Sequence, residues 1–241
     1  PTRHLKLCAN YIAAANPTMK TVIIAHGFMS NKDNMFDYAD MFHNLGYNVL
    51  LPDARGHGDS QGNYIGYGWP DRLDYVKWIK RVIRHNGANS EIAVFGTSMG
   101  GATTMMVSGV KGLPRQVKAF VEDCGYTDVY SEIAYQAKEM YHLPTFPLVD
   151  IVSGINHVKN GYSFKKASAL DQVRKNTRPM LFIHGAHDHF VPTRMVYPLY
   201  RADKGPKQLL IVPGPGHSRS FHNRPTLYRD TIEKFLNRYL K

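Results

Sequence analysis

The sequence is short of the features that would take it out of the ordinary globular classes. Two cysteines in 241 residues, Cys8 and Cys124, are too few for a disulfide framework, and both fall where strands are expected, so free buried thiols are the reading. No apolar run reaches the roughly 18 residues that a membrane-spanning helix needs, so a soluble chain is expected. Internal repeats and low-complexity tracts are missing, and so is any recognisable nucleic-acid module. Acidic residues are the scarce charge: 19 against 30 basic ones leave a formal +11. The basic residues are scattered, densest at Arg219, Arg224, Arg229, Lys234, Arg238 and Lys241. A solvated basic surface is therefore favoured over a polyanion site, with no nucleic-acid partner and at most weak association with an anionic surface or membrane. Residue 1 is a proline, which leaves room for an upstream signal or anchor, and the compartment, cytoplasm or bacterial cell surface, stays open.

What is present is a regular alternation. Residues 5–13 alternate apolar and polar as an outer strand in an edge hairpin would. Thr21–Ala25, Tyr47–Leu51, Ile92–Phe95, Val117–Val121, Pro179–Ile183 and Gln208–Val212 are short runs rich in β-branched and apolar residues, the mark of strands covered on both faces. Between them lie helical spacings at 34–45, 70–84, 99–109, 128–142, 193–201 and 225–240. Alternating strand and helix predicts a mostly parallel sheet with helices on both sides. The length suits one domain, 1–241. One stretch breaks the rhythm: 143–164 carries Pro144, Pro147, Gly154 and Gly161 among large apolar residues without a clear period. With the preceding helix it reads as a lid over the sheet edge, 126–170, whose aromatic residues cover a pocket.

Chemistry concentrates at Gly96-Thr97-Ser98-Met99-Gly100, between a predicted strand and a predicted helix. A serine at such a bend takes strained backbone angles to project its hydroxyl, and small residues two positions to either side let strand and helix cross. A serine nucleophile needs a base, and the base needs an orienting acid. Downstream, on loops after the last two strands, stand Asp188 in His184-Gly-Ala-His-Asp-His-Phe-Val-Pro192 and His217 in Gly214-Pro-Gly-His-Ser218. Asp123 and Asp128 compete as the acid and His222 as the base. His184, His187 and His189 have a spacing that fits no zinc pattern well.

Together, His26-Gly-Phe28, Asp53-Ala-Arg-Gly-His-Gly-Asp-Ser60, the GTSMG elbow and the two downstream loops resemble, in order and spacing and over nearly the whole chain, the α/β-hydrolase superfamily, specifically its small-lid bacterial serine hydrolases, the cell-surface hydrolase and serine aminopeptidase-like group. The resemblance implies an α/β-hydrolase fold with a sheet of about eight strands and a small lid. It further implies Ser98 as nucleophile, His217 as base then acid, Asp188 as orienting carboxylate, backbone N–H groups of Phe28 and Met99 as the oxyanion hole, and no cofactor or metal. Asp53, Arg55 and His57 match loop-stabilising positions. A bulky residue at the hole goes with simple alcohol or small acyl substrates. Tyr126, Tyr141, Phe146 and Phe190 are the candidate pocket residues. The expected activity is hydrolysis of a small-molecule carboxylic ester through an acyl-enzyme. A serine exopeptidase or amidase, which would need Glu132, Glu139 or Asp150 to hold a substrate amine, is the alternative, and a non-catalytic ligand-binding module the second.

Overall fold

The computed structural model describes residues 5–241. Seven strands form one sheet: β1 (Ala9–Ile12), β2 (Lys20–Ala25), β3 (Asn48–Pro52), β4 (Glu91–Thr97), β5 (Val117–Asp123), β6 (Met180–Gly185) and β7 (Lys207–Val212), in the order β1-β3-β2-β4-β5-β6-β7. All neighbours run parallel except β1, which is antiparallel to β3. Nine α-helices intervene among the described residues: α1 (Phe36–Asn44), α2 (Asp71–Asn86), α3 (Met99–Ser108), α4 (Val129–Tyr141), α5 (Leu148–Asn160), α6 (Ala169–Val173), α7 (Val196–Ala202), α8 (Ser220–Asn223) and α9 (Pro225–Leu236).

The alternating side chains of the central strands divide into two cores. Val22 and Ile24 pack with Phe42 of α1 and Tyr228, Ile232 and Phe235 of α9. Ile23 and Ala25 face the other way, into a second core that also holds Ile79 of α2, Met105 of α3 and, further along the sheet, Leu199 of α7. Burial on both faces is why these strands read as unbroken apolar runs.

The seven strands among the described residues agree with the expected mostly parallel sheet of about eight. One expectation needs correction: there is no edge hairpin among the described residues, because β1 pairs with β3 rather than with β2, the strand that follows it. Only Ala9–Ile12 join the ladder; Cys8 lies just outside it, where its N–H is taken by the Ser60 hydroxyl. The irregular stretch holds a full helix, α5. Pro147 is its N-cap and Gly161, at φ 83°, is its C-cap, its N–H donating to the His157 carbonyl at 2.9 Å. Two of the residues that looked like breakers, Pro147 and Gly161, are the ends of a helix.

Candidate active site

The parallel strands deliver their loops to one end of the sheet, and the elbow is the most constrained of them. Ser98 sits at φ 56°, ψ −120° between β4 and α3, a region that costs a non-glycine residue on the order of 1–3 kcal/mol. Its N–H donates to the Asp123 carbonyl at 2.8 Å. A Cβ at Gly96 would collide with the Gly100 carbonyl, and one at Gly100 with the carbonyls of Ala25 and His26. The crossing is too tight for any side chain there.

From this bend the hydroxyl meets the downstream loops. Ser98 Oγ lies 2.8 Å from His217 Nε2, and His217 Nδ1 lies 2.8 Å from Asp188 Oδ2. The tautomer follows: a carboxylate only accepts, so Nδ1 carries the proton and Nε2 is free to accept the serine O–H. Asp188 is fully used, with Oδ1 accepting the N–H groups of Phe190 (2.9 Å) and Val191 (3.0 Å). Behind it, His184 Nε2 lies 3.3 Å from Oδ2 and 2.9 Å from the Val191 carbonyl. Burial alone would raise the Asp188 pKa, but hydrogen bonds from His184 and His217 outweigh it and hold the carboxyl at about 2. Asp188 is ionised at every working pH.

The rival residues stand elsewhere. Asp123 is fully buried and accepts the Tyr228 hydroxyl at 2.8 Å. Asp128 caps α4, accepting the Ser131 N–H. His222 faces Asp37 at 3.8 Å. Among the described residues, the one triple of potential ligand atoms within 4.8 Å is Cys124, Asp188 and His217, which reuses two of these side chains and leaves out His187 and His189.

The loop after β2 lies against the elbow: a Cβ on Gly27 would stand 3.6 Å from Ser98 Cβ. His26 sets its orientation. The Ala54 N–H donates to His26 Nε2 at 2.9 Å, so Nδ1 carries the proton and donates to the Gly27 carbonyl at 2.8 Å. Burial lowers the His26 pKa to about 4 and keeps the ring neutral. In a trans peptide the carbonyl and the following N–H point opposite ways, so pinning the Gly27 carbonyl presents the Phe28 N–H on the other side. Neither that N–H nor that of Met99 has a protein acceptor among the described residues. Met99 opens α3, where free N–H groups and the helix dipole favour negative charge.

The loop at 53–60 braces this arrangement. Asp53 takes the N–H groups of Lys32 and Asp59, and Arg55 is buried against Asp74. These contacts hold Ala54 where its N–H meets His26.

Above Ser98 opens a cavity of about 430 Å³. Of the four residues expected there, Tyr126, Tyr141 and Phe190 line it; the Phe190 ring also leans on His217, with centroids 4.8 Å apart. Phe146 does not. It is 77% exposed on the outer surface, because the start of α5 turns it away from the wall that α4 forms. The roof lies above the carboxyl ends of the central strands rather than along an edge, and α4 supplies most of it through Val129, Ile133, Ala137 and Met140. Tyr67 was not foreseen; it stacks on Phe28 at 5.6 Å, and its carbonyl accepts the Tyr126 hydroxyl. Its signal was the Gly66-Tyr67-Gly68 setting, since glycines free a loop to turn an aromatic inward.

One carboxyl enters this apolar space. Glu132 is 8% exposed and lines the cavity; burial raises its pKa to about 7. Gln136 Nε2 donates to Glu132 Oε1 (2.9 Å) and to the Phe190 carbonyl. Glu132 Oε2 and Gln136 Oε1 are left as buried acceptors without a donor.

A loop-borne serine, histidine and aspartate in one hydrogen-bonded line at the carboxyl end of a parallel sheet invite comparison with known proteins. The family model described as serine aminopeptidase, S33, matches residues 16–140. The chain belongs to this family. It is thereby a hydrolase of the α/β-hydrolase superfamily. Among relatives, the uncharacterized protein YqkD of Bacillus subtilis is 31% identical over 227 residues, which cover 94% of this chain and 74% of YqkD. The uncharacterized protein YfhR of Escherichia coli K12 is 27% identical over 225 residues, covering 92% and 72%. Among solved structures, the Pyrococcus furiosus esterase Pf2001 aligns with a TM-score of 0.77 at 23% identity, covering 99% of the hydrolase and 87% of that chain. At that identity the likeness speaks for the fold.

Proposed function

We propose that this chain is a serine hydrolase that cleaves a small carboxylic ester through an acyl-enzyme. The observation that carries the reading is the line of two 2.8 Å contacts, Ser98 to His217 to Asp188, opening on an apolar cavity. His217 Nε2 takes the serine proton as Oγ attacks the ester carbonyl, and Asp188 stabilises the imidazolium that forms. The N–H groups of Phe28 and Met99 receive the oxyanion. On collapse the imidazolium gives its proton to the leaving alcohol. Water, deprotonated by His217, then releases the acid and restores Ser98. Residues 1–241 are read as one hydrolase domain, and 126–170 as its lid.

The relative and neighbour names agree in part: Pf2001 is called an esterase, and the family is described by aminopeptidase activity. The test is direct. A fluorophosphonate should label Ser98, and short-chain p-nitrophenyl esters should turn over; Ser98→Ala should abolish both. A protein that takes no label and turns over no ester is not a serine esterase.

Glu132 favours a second reading, an amine-bearing substrate cleaved at an ester or amide bond. An unpartnered buried acceptor pair in an apolar pocket is matched by a donor on the ligand. Higher kcat/KM on aminoacyl naphthylamides than on p-nitrophenyl esters would move the assignment to an exopeptidase. Glu139 and Asp150 do not line the cavity: Glu139 lies beside Lys138, and Asp150 pairs with Tyr130 and Lys165.

A further inference from the structure

The outer surface of the lid carries an apolar face that no described residue covers. α5 turns Val149 and Ser153 inward, where Ser153 accepts the Phe164 N–H. Its opposite side presents Leu148, Ile151, Val152, Ile155 and Val158, all exposed, with Val158 at 86%. At 100° per residue these five fall within an arc of about 120°, a stripe as wide as those that helices normally bury. Phe146, two residues before the helix, and Tyr141, at the end of α4 and on the cavity lining, are exposed as well, Tyr141 at 67%. Singly exposed apolar residues are ordinary; a contiguous set is an interaction surface.

Charge on the same lid selects the partner. Its two flanking carboxylates are neutralised in place, Asp150 by Lys165 at 3.4 Å and Glu139 by Lys138 at 4.0 Å. Lys159, at the end of the stripe, and Lys166 take part in no ion pair among the described residues, and the whole chain carries +11. A second copy seated on this face would bring like charges together. A layer that is apolar inside and negative at its surface satisfies both features. At 13 residues α5 is about 20 Å long, too short to cross a bilayer, and no helix among the described residues is long and apolar enough to do so. A helix with an apolar face and flanking lysines lies along the interface instead.

We infer that the outer face of α5 docks on the surface of an anionic phospholipid bilayer, with Leu148, Ile151, Val152, Ile155 and Val158 in the acyl boundary and Lys159 and Lys166 at the headgroups. This docking sets the rim of the cavity at Tyr141 against the lipid. It stands independently of which ester or amide the hydrolase cleaves.

Co-sedimentation with vesicles of one part phosphatidylglycerol to two parts phosphatidylcholine tests it. The wild-type chain should partition onto them, and the double variant Ile151→Gln/Ile155→Gln should lose about tenfold or more in partition. Lys159→Gln/Lys166→Gln should lose about fivefold for each charge, the loss disappearing at high salt. All these side chains are exposed and outside the cavity lining, so hydrolysis of a water-soluble ester by the variants reports that they are folded. No partition of the wild type, equal partition onto pure phosphatidylcholine, or binding unchanged by Ile151→Gln/Ile155→Gln would each overturn the assignment. So would sedimentation showing a stable dimer that the isoleucine variant dissociates, which would assign the face to a second copy.

Discussion

The cavity has a floor of loops rooted in the sheet and a roof made by α4, against which α5 packs, and the two surfaces are held on different terms. On the floor, each group proposed to take part in the reaction is fixed by several contacts at once. Ser98 is bent by the strand-helix crossing, Asp188 has both oxygens engaged, and His26 pins the Gly27 peptide. On the roof, Met140, Tyr141 and Leu143 line the space yet remain largely exposed, and α5 turns an apolar stripe to solvent. Reaction geometry needs atoms held within a few tenths of an ångström, whereas a roof selects ligands by shape. The floor should therefore fail sharply under substitution and the roof gradually.

The largest expected effect is on the floor. Asp188→Asn keeps the shape of the side chain but presents the wrong group to His217 Nδ1, and kcat should fall by about 10⁴-fold. Asp123→Asn, whose side chain bonds the Tyr228 hydroxyl and no side chain of the proposed triad while its backbone carbonyl still accepts the Ser98 N–H, should leave kcat within about threefold, since the change leaves the contacts of the proposed reacting groups in place and acts on stability. Steady-state kinetics of the two variants on one ester separates them; equal losses would move the orienting role to Asp123.

A matched pair of substitutions probes the same contrast in stability. Gly100→Ala drives a methyl into the Ala25 and His26 carbonyls and should cost about 3 kcal/mol or more. Gly154→Ala sits inside α5 with open space around it and should stabilise by about 0.5–1 kcal/mol. Urea unfolding reads both, and a tolerated Gly100→Ala would mean the elbow is looser than its geometry.

The same division explains what could be read from the sequence. The floor is made of short apolar strands followed by polar loops, and periodicity, chain order and the two elbow glycines point to Ser98, Asp188 and His217 without any contact being known. The roof resists such reading because its signals compete: α5 has apolar residues on both sides of the helix, Val149 inward and Ile151 outward, so no single face stands out. Phe146 carried the same aromatic signal as Tyr141, and only the turn into α5 decides that one lines the cavity and the other faces away. Tyr67 enters the site from a loop far away in sequence. Its role depends on tertiary packing against Phe28 and Tyr126, which the glycines on either side of it permit but do not specify.

The roof also holds a group whose effect should be graded with pH. Glu132 titrates near 7 because burial penalises its charge, so it is neutral below that pH and anionic above it. For an ester bearing a primary alkylammonium, kcat/KM relative to that of a neutral ester of equal size should rise as pH passes upward through about 7, by about tenfold. In Glu132→Gln the ratio should stay flat. A ratio that rises equally in the variant would assign the preference to another group, and a flat ratio in the wild type would remove the amine reading.

The smallest effect belongs to a buried carboxyl beneath the floor. Glu122 is fully buried in β5, next to the strand end that carries Asp123, and burial raises its pKa from 4.5 to about 8. In the folded chain it keeps a proton that the unfolded chain releases near 4.5. Its contribution to stability is thus fully present below that pH and is lost as pH rises through about 8. Gln cannot titrate, so the melting temperature of the wild type minus that of Glu122→Gln should fall between pH 5 and pH 9, by on the order of 5 °C. Thermal melts of the two proteins across that range measure the difference directly. A gap that widens with pH would mean that Glu122 is held ionised, with His184, the residue behind Asp188, as its counter-charge; the floor would then contain a second buried ion pair instead of a neutral acid.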